Sequence, residues 1–339
     1  MIKPDGNSLR SVGLDIGTYS IKLVVLEDPR NKKTLIAINE KRISPGCDFD
    51  EKTNAIREMF KEMDFHPNEV NLSIFGSEAI VRFVNFPKMS HGQLEDALEF
   101  EAEKYIPFNL NEVIMDVVIL DAVRETEQMS VILAAAKKNA VESLMKVCKD
   151  LNIKIGIVDM DPFAMFNAFL DVDSDQTDQT RALFNFGHSR TDILVANGKK
   201  PVFIRQIPIG GKDVSEAIGR DLSIESREAE KCKLIRSKEG EEKVLQAAFS
   251  VVDRLIKEIQ LSFSYLESRQ EKKIGEIYCS GGAIEREGIL EYLNEKLNVE
   301  MKKWNPIGKV KISENIFRKD VNSSVSQFAV SMGLALRQS

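Results

Sequence analysis

Only three histidines occur, His66, His91 and His188, and none stands two or four residues from another. A histidine-based zinc site is therefore not expected. Four cysteines (Cys47, Cys148, Cys232, Cys279) are scattered without disulfide or metal spacing, which fits a reducing compartment. No G-x-x-x-x-G-K-[ST], G-x-S-x-G or C-x-x-C is present, which removes the P-loop, nucleophile-elbow and dithiol chemistries. The longest purely apolar run, Val131 to Ala136, falls far short of the roughly 20 residues a membrane-spanning helix needs. The opening ten residues lack the apolar stretch of a secretory signal. Asp171, Asp173 and Asp175 begin like a calcium loop, but Gln176 and Ala182 stand where that loop needs Gly and Glu. The acidic stretch from Asp171 to Thr180 reads instead as a solvated linker. Basic residues are not in excess: 47 Lys and Arg against 53 Asp and Glu leave a net charge of −6, so no nucleic-acid face is expected.

What is present is a soluble globular composition, 43% hydrophobic and 29% charged over 339 residues, long enough for more than one core. The sequence also repeats itself. SVGLDIGTYSIKLVVLED (11–28) superimposes on RALFNFGHSRTDILVANG (181–198), placing Asp15 on Asn185, Gly17 on Gly187, Ser20 on Arg190 and Leu23 on Ile193. Each copy is an apolar strand, a polar turn with glycine and a second apolar strand, the pattern of a β-hairpin. Recurrence near the start of each half predicts a duplicated domain, with the acidic linker as boundary.

Strands are predicted at 35–43, 70–75, 80–86, 113–120, 130–135 and 153–158, with helices at 51–63, 139–151 and after Pro87. The block 87–158 reads as a small layer inserted into the first half. Its Tyr105-Ile106-Pro107-Phe108 segment puts apolar side chains where proline stops a helix. In the second half, a strand over 201–209 is broken by Gly210-Gly211 before a helix. Leu245, Ala248, Val252, Leu255, Ile259, Phe263 and Leu266 form a helical apolar stripe. A strand at 276–280, Gly281-Gly282, a helix from about Gly288 and a last helix over 326–336 complete the chain.

VGLDIGTYSIK, LFNFGHSRTDI and IYCSGGAIEREG resemble the two phosphate motifs and the adenosine motif of the actin-like ATPase superfamily. Within it, ALEFEAEKYIPFNLNEV, VILAAAKKNAVESLMKVC, IPIGGKDVSEAI and AVSMGLALR resemble segments of the PilM family of type IV pilus assembly proteins. The resemblance covers about residues 11–337, and the EAEKYIPF block is its most specific part.

The resemblance implies an α/β fold: duplicated actin-like (ribonuclease H-like) domains flanking a nucleotide cleft, with an FtsA-type inserted subdomain. The expected bounds are 11–175 plus 322–339 for the first domain, about 87–158 for the insertion and 180–321 for the second domain. ATP and Mg²⁺ are the expected ligands. Gly17 would let the first turn approach a phosphate while Thr18, Tyr19 and Ser20 frame it. Lys22 would reach the β- and γ-phosphates, and Asp15 would hold the hydrated metal. Gly187, His188 and Ser189 would grip the phosphates from the other side. Asn185, where the superfamily carries an acid, can accept from a metal-bound water but brings no charge, so at most slow hydrolysis is expected.

Glu230 and Lys233 match a ribose-binding pair; read without the family they are a surface ion pair. Gly281 and Gly282 would lie against the adenine or α-phosphate. Asp161, in Asp159-Met160-Asp161-Pro162, is the candidate water-positioning residue, and the same pattern suits a helix N-cap. Implied partners are the cytoplasmic N-terminal peptide of a PilN-like membrane protein, docked around Pro87 to Phe108, the pilus motor ATPases and platform protein, and copies of this chain in a ring. The protein is expected in the cytoplasm, at the inner face of the inner membrane and reaching it only through partners. The other readings are an FtsA-like division scaffold, disfavoured because no amphipathic helix follows Leu336, and a small-molecule kinase of the same superfamily.

Overall fold

The computed structural model describes residues 9–28, 32–74, 76–122, 128–172, 179–234, 240–270, 273–319 and 325–337. The central part of the acidic linker, with Asp173 and Asp175, lies outside them.

The repeat seen in the sequence folds into two sheets of the same plan. In the first, β1 (Arg10–Ile16), β2 (Ser20–Glu27) and β3 (Thr34–Arg42) form an antiparallel meander. β4 (Glu69–Ser73) then lies parallel to β1. α1 (Phe49–Met63) connects the meander to β4; Asp48 caps it by accepting from the Glu51 amide, and Asp64 ends it in the left-handed region. The second sheet repeats this order with β9 (Thr180–Phe186), β10 (Thr191–Asn197), β11 (Lys200–Ile207) and the parallel strands β12 (Glu276–Ser280) and β13 (Glu300–Lys303).

A third sheet, ordered β5-β7-β6, comprises β5 (Ala79–Pro87), β6 (Val113–Ala122) and β7 (Gln128–Lys137). Helix α2 (His91–Glu101), opened by a Ser90/Gln93 capping box, covers one face of it.

Two expected boundaries shift. The inserted layer runs from Ala79 to Lys137, not 87–158. α3 (Lys138–Asp150) packs Leu144, Val147 and Cys148 into the core of the first sheet, and β8 (Lys154–Asp159) extends that sheet beside β4. Nor does the second half keep everything up to residue 321. β14 (Lys311–Lys319) crosses back to pair in parallel with β3 at the edge of the first sheet. Both departures have one cause: pairing across long sequence separations gives a strand its sheet, and local pattern does not report it.

Between the two sheets lie α4 (Asp161–Val172) and the last helix, α9 (Ala329–Leu336). They share one core with Leu183, Leu194 and Trp304 of the second half. Apart from Ser331, α9 is apolar, and it is buried from Ala329 to Ala335, as a central helix must be. Its Gly333 meets α4 so closely that a Cβ would fall 1.6 Å from the Ala164 carbonyl oxygen. α5 (Gly211–Leu222), α6 (Ser226–Leu234), α7 (Glu241–Gln270) and α8 (Ile289–Leu297) flank the second sheet.

Candidate functional site

The turns of the two repeated hairpins face each other across a cavity of about 490 Å³. Each turn closes in the same way: the Gly17 amide donates to Ser20 O and the Gly187 amide to Arg190 O. A Cβ on Gly17 would come within 2.6 Å of that Ser20 oxygen, so the turn is built for glycine. At the tips the halves touch, with Thr18 Oγ1 donating to Ser189 Oγ at 3.3 Å and the Tyr19 and His188 rings stacked at 4.7 Å. Burial holds the His188 imidazole below its ordinary pKa, which favours the neutral ring; its Nε2 is buried without a hydrogen-bond partner.

All the residues singled out from the sequence line this one cavity: Asp15, Gly17, Thr18, Tyr19, Ser20, Lys22, Asp161, Asn185, Gly187, His188, Ser189, Glu230, Lys233, Gly281 and Gly282. Asp15 and Lys22 oppose each other across β1–β2, with Lys22 Nζ 3.4 Å from Asp15 Oδ2. Burial raises the Asp15 pKa, opposed by Lys22 and reinforced by Asp161.

On the far wall, Lys233 is not a surface residue. It is 5% exposed, lies 2.7 Å from Glu230 and donates to Gly211 O at 3.1 Å. Ser215 Oγ donates to the same Glu230 carboxylate. The surface-pair reading is thereby excluded. Gly281 holds φ +98°, and a Cβ there would lie 2.3 Å from Phe186 O, so the strand-to-helix turn after β12 presses directly on β9.

Asp161 occupies the first position of α4 and is not its cap. The Phe163 and Ala164 amides both donate to Met160 O, while the Asp161 carboxylate accepts from Arg190 Nη2 at 2.7 Å across the cleft. Arg190 and Asp192 are the functional candidates that sequence reasoning missed. Arg190 Nε also donates to Asp192 at 3.3 Å, and Gln206 Nε2 donates to Asp192 Oδ1 at 3.2 Å. Burial lifts the Asp192 pKa to about 6, against the pull of Arg190. The signal was available in the repeat, where Asp192 falls on Lys22 as Asn185 falls on Asp15.

A second cavity of about 420 Å³ continues beyond the hairpin tips. It shares Asp15, Gly17, Thr18, Asp161, Ser189 and Arg190 with the first and extends to Lys52, Ser77 and Gln206. Among the described residues, no group of three or more His, Cys, Asp or Glu is arranged as a metal cage.

Known proteins share this architecture. The structure matches that of the PilM–PilN type IV pilus biogenesis complex with a TM-score of 0.86 and 26% identity, over 96% of this chain and 97% of that one. An archaeal actin homologue, Ta0583, matches at 0.53 and 15% identity over 96% and 98%. MreB5 of Spiroplasma citri bound to AMPPNP matches at 0.51 and 15% identity over 97% and 95%. The last two similarities give the fold, which is that of the actin-like ATPases, as expected from the sequence. Residues 13–339 match the sequence profile of the type IV pilus assembly protein PilM. The chain belongs to the PilM family.

Proposed function

We propose that this actin-like type IV pilus assembly protein is a nucleotide-clamped adaptor that binds Mg·ATP in the cleft and, on another surface, the cytoplasmic N-terminal peptide of a PilN-like membrane protein. The observation that carries the nucleotide reading is the convergence of both hairpin turns, the Glu230–Lys233 pair and the Gly281 turn on one cavity. With the Gly17 and Gly187 amides closing the turns, the other amides of the two tips would cradle the phosphates, and Lys22 would add a point charge. Lys233 and Glu230 face the other end of the cavity, where sugar hydroxyls would find a buried donor and acceptor.

The residues fit a magnesium nucleotide better than a bare metal. With no protein cage among the described residues, Asp15 and Asp192 would hold the ion through its waters, as a hard, reluctantly dehydrated cation requires. Bound Mg²⁺ would supply charge neutralisation at the terminal phosphates. Asp161 is the residue proposed to position water, and its carboxylate is paired with Arg190 across the cleft. Slow or gated hydrolysis follows from that pairing.

The PilN-like partner is proposed because the relative solved with PilN resembles this chain over nearly its whole length. An extended peptide would gain main-chain bonds at a strand edge and pockets for apolar side chains. The surface around α2 is favoured: Phe100 is 81% exposed there, whereas Phe108 is half-buried under Lys137. Contacts with the motor ATPases and platform protein, and a ring of copies, belong to the same proposal. So does a cytoplasmic position at the inner membrane held through partners; among the described residues, no helix is long and apolar enough to cross a membrane. Asp15→Ala is expected to lower Mg·ATP affinity by roughly tenfold or more, the scale of one charge-assisted contact. Wild-type affinity in that variant, measured by calorimetry, would overturn the role given to Asp15.

A further inference from the structure

Arg190 stands at the junction of the two cavities. Glu230, Lys233 and Gly281 line the first cavity and are absent from the second, whereas Asp15, Asp161 and Arg190 line both. A ligand whose sugar end lies on the α6 side therefore brings its far end to Arg190. Its place there is fixed by backbone: Arg190 O closes the second turn, and Gly210 packs so tightly against Arg190 N that a Cβ would come within 2.6 Å. The guanidinium is already committed, Nη2 to Asp161 and Nε to Asp192, and Gly76 leaves room beside Nη1. In the first hairpin the matching residue is Ser20, so this cation belongs to one wall of the cleft.

Resting on the nucleotide reading of this cavity, we infer that Arg190 distinguishes a nucleoside triphosphate from a diphosphate by moving its Nη2 donor from Asp161 to the terminal phosphate. The exchange is physically reasonable on both sides. A terminal phosphate offers a planar fork of donors more acceptor oxygens and more charge than one carboxylate does. Asp161, at the first turn of the twelve-residue α4, stays favourably placed against the helix N-terminus after Arg190 leaves. Asp192 keeps its bond from Gln206. The released Asp161 carboxylate then becomes available to a water only when a triphosphate is present, which couples ligand identity to the positioning of water.

The test is calorimetric titration of the full chain with Mg·AMPPNP and with Mg·ADP, in wild type, R190A, R190Q, R190K and D161N. Wild type is expected to prefer AMPPNP. R190A and R190Q should reduce the AMPPNP-to-ADP affinity ratio by roughly 10- to 100-fold, and R190K should restore part of it. D161N should move the ratio the opposite way, since it removes the competitor for Nη2, whereas a merely structural ion pair would lose affinity for both ligands alike. R190Q, close in length and still a donor, serves if R190A does not fold. An unchanged ratio in both R190A and R190Q, or a ratio lowered in D161N, overturns the inference while leaving the nucleotide reading intact. Wild type binding neither ligand overturns that reading, and the inference with it.

Discussion

Asp192 lies directly across the β9–β10 pair from Asn185, in the position that Lys22 holds opposite Asp15 in β1–β2. Cross-strand partners project from the same face of a sheet, so each hairpin presents one carboxylate to the cleft, from opposite strands. The carboxylate of the second hairpin therefore stands one strand away from Asn185, at Asp192, where it is paired with Arg190.

Asp192 also carries a pH signature. Its pKa of about 6 lies above the ordinary 3.8 because the carboxyl is buried, so the native state holds its proton more tightly than the unfolded chain. The stabilising contribution is complete below about 3.8, shrinks as pH rises through 6 and is gone above. Asp192→Asn is neutral throughout, so between about pH 4.5 and 8 it should gain on the order of 2 kcal/mol in stability relative to wild type. Denaturant melts of both proteins at the two pH values measure this; parallel stability curves would contradict the assigned burial.

Gly281→Ala should be strongly destabilising. The substitution combines a positive φ with a Cβ driven into Phe186 O, C and N, and backbone cannot yield as a side-chain tip can. A loss of about 3 kcal/mol or more is expected, together with weakened nucleotide binding, because β9 carries the second hairpin. A stable variant with wild-type melting would show that the turn relaxes away from β9.

Phe100→Ala should leave the melting temperature within about a degree of wild type, since an 81% exposed ring contributes little to the core. It should weaken capture of a PilN-like N-terminal peptide by roughly tenfold or more if the ring anchors it. Fluorescence anisotropy with a labelled peptide gives the answer, and an unchanged affinity would move the docking surface away from α2.

Much of this architecture was legible because it is local. The hairpins announce themselves through strand–Gly–strand patterns, and the long stripe from Leu245 to Leu266 predicts α7, which buries Val252, Leu255 and Ile259. What escaped was non-local. Lys311–Lys319 is polar and charged enough to pass for a loop, yet it completes the first sheet against β3. α3 and β8 follow the inserted strands in sequence but pack with α1 and β4. Arg190 stands out in the sequence only as the repeat partner of Ser20; its pairing with Asp161, 29 positions earlier and 2.7 Å away, exists only in the folded chain.

The most direct test of the whole account is titration of the full chain with Mg·ATP, with and without a PilN-like N-terminal peptide. Saturable binding of both, with peptide affinity changed by the nucleotide, is the predicted result. A chain that binds peptide identically in the presence and absence of saturating Mg·ATP would contradict the nucleotide-clamped adaptor.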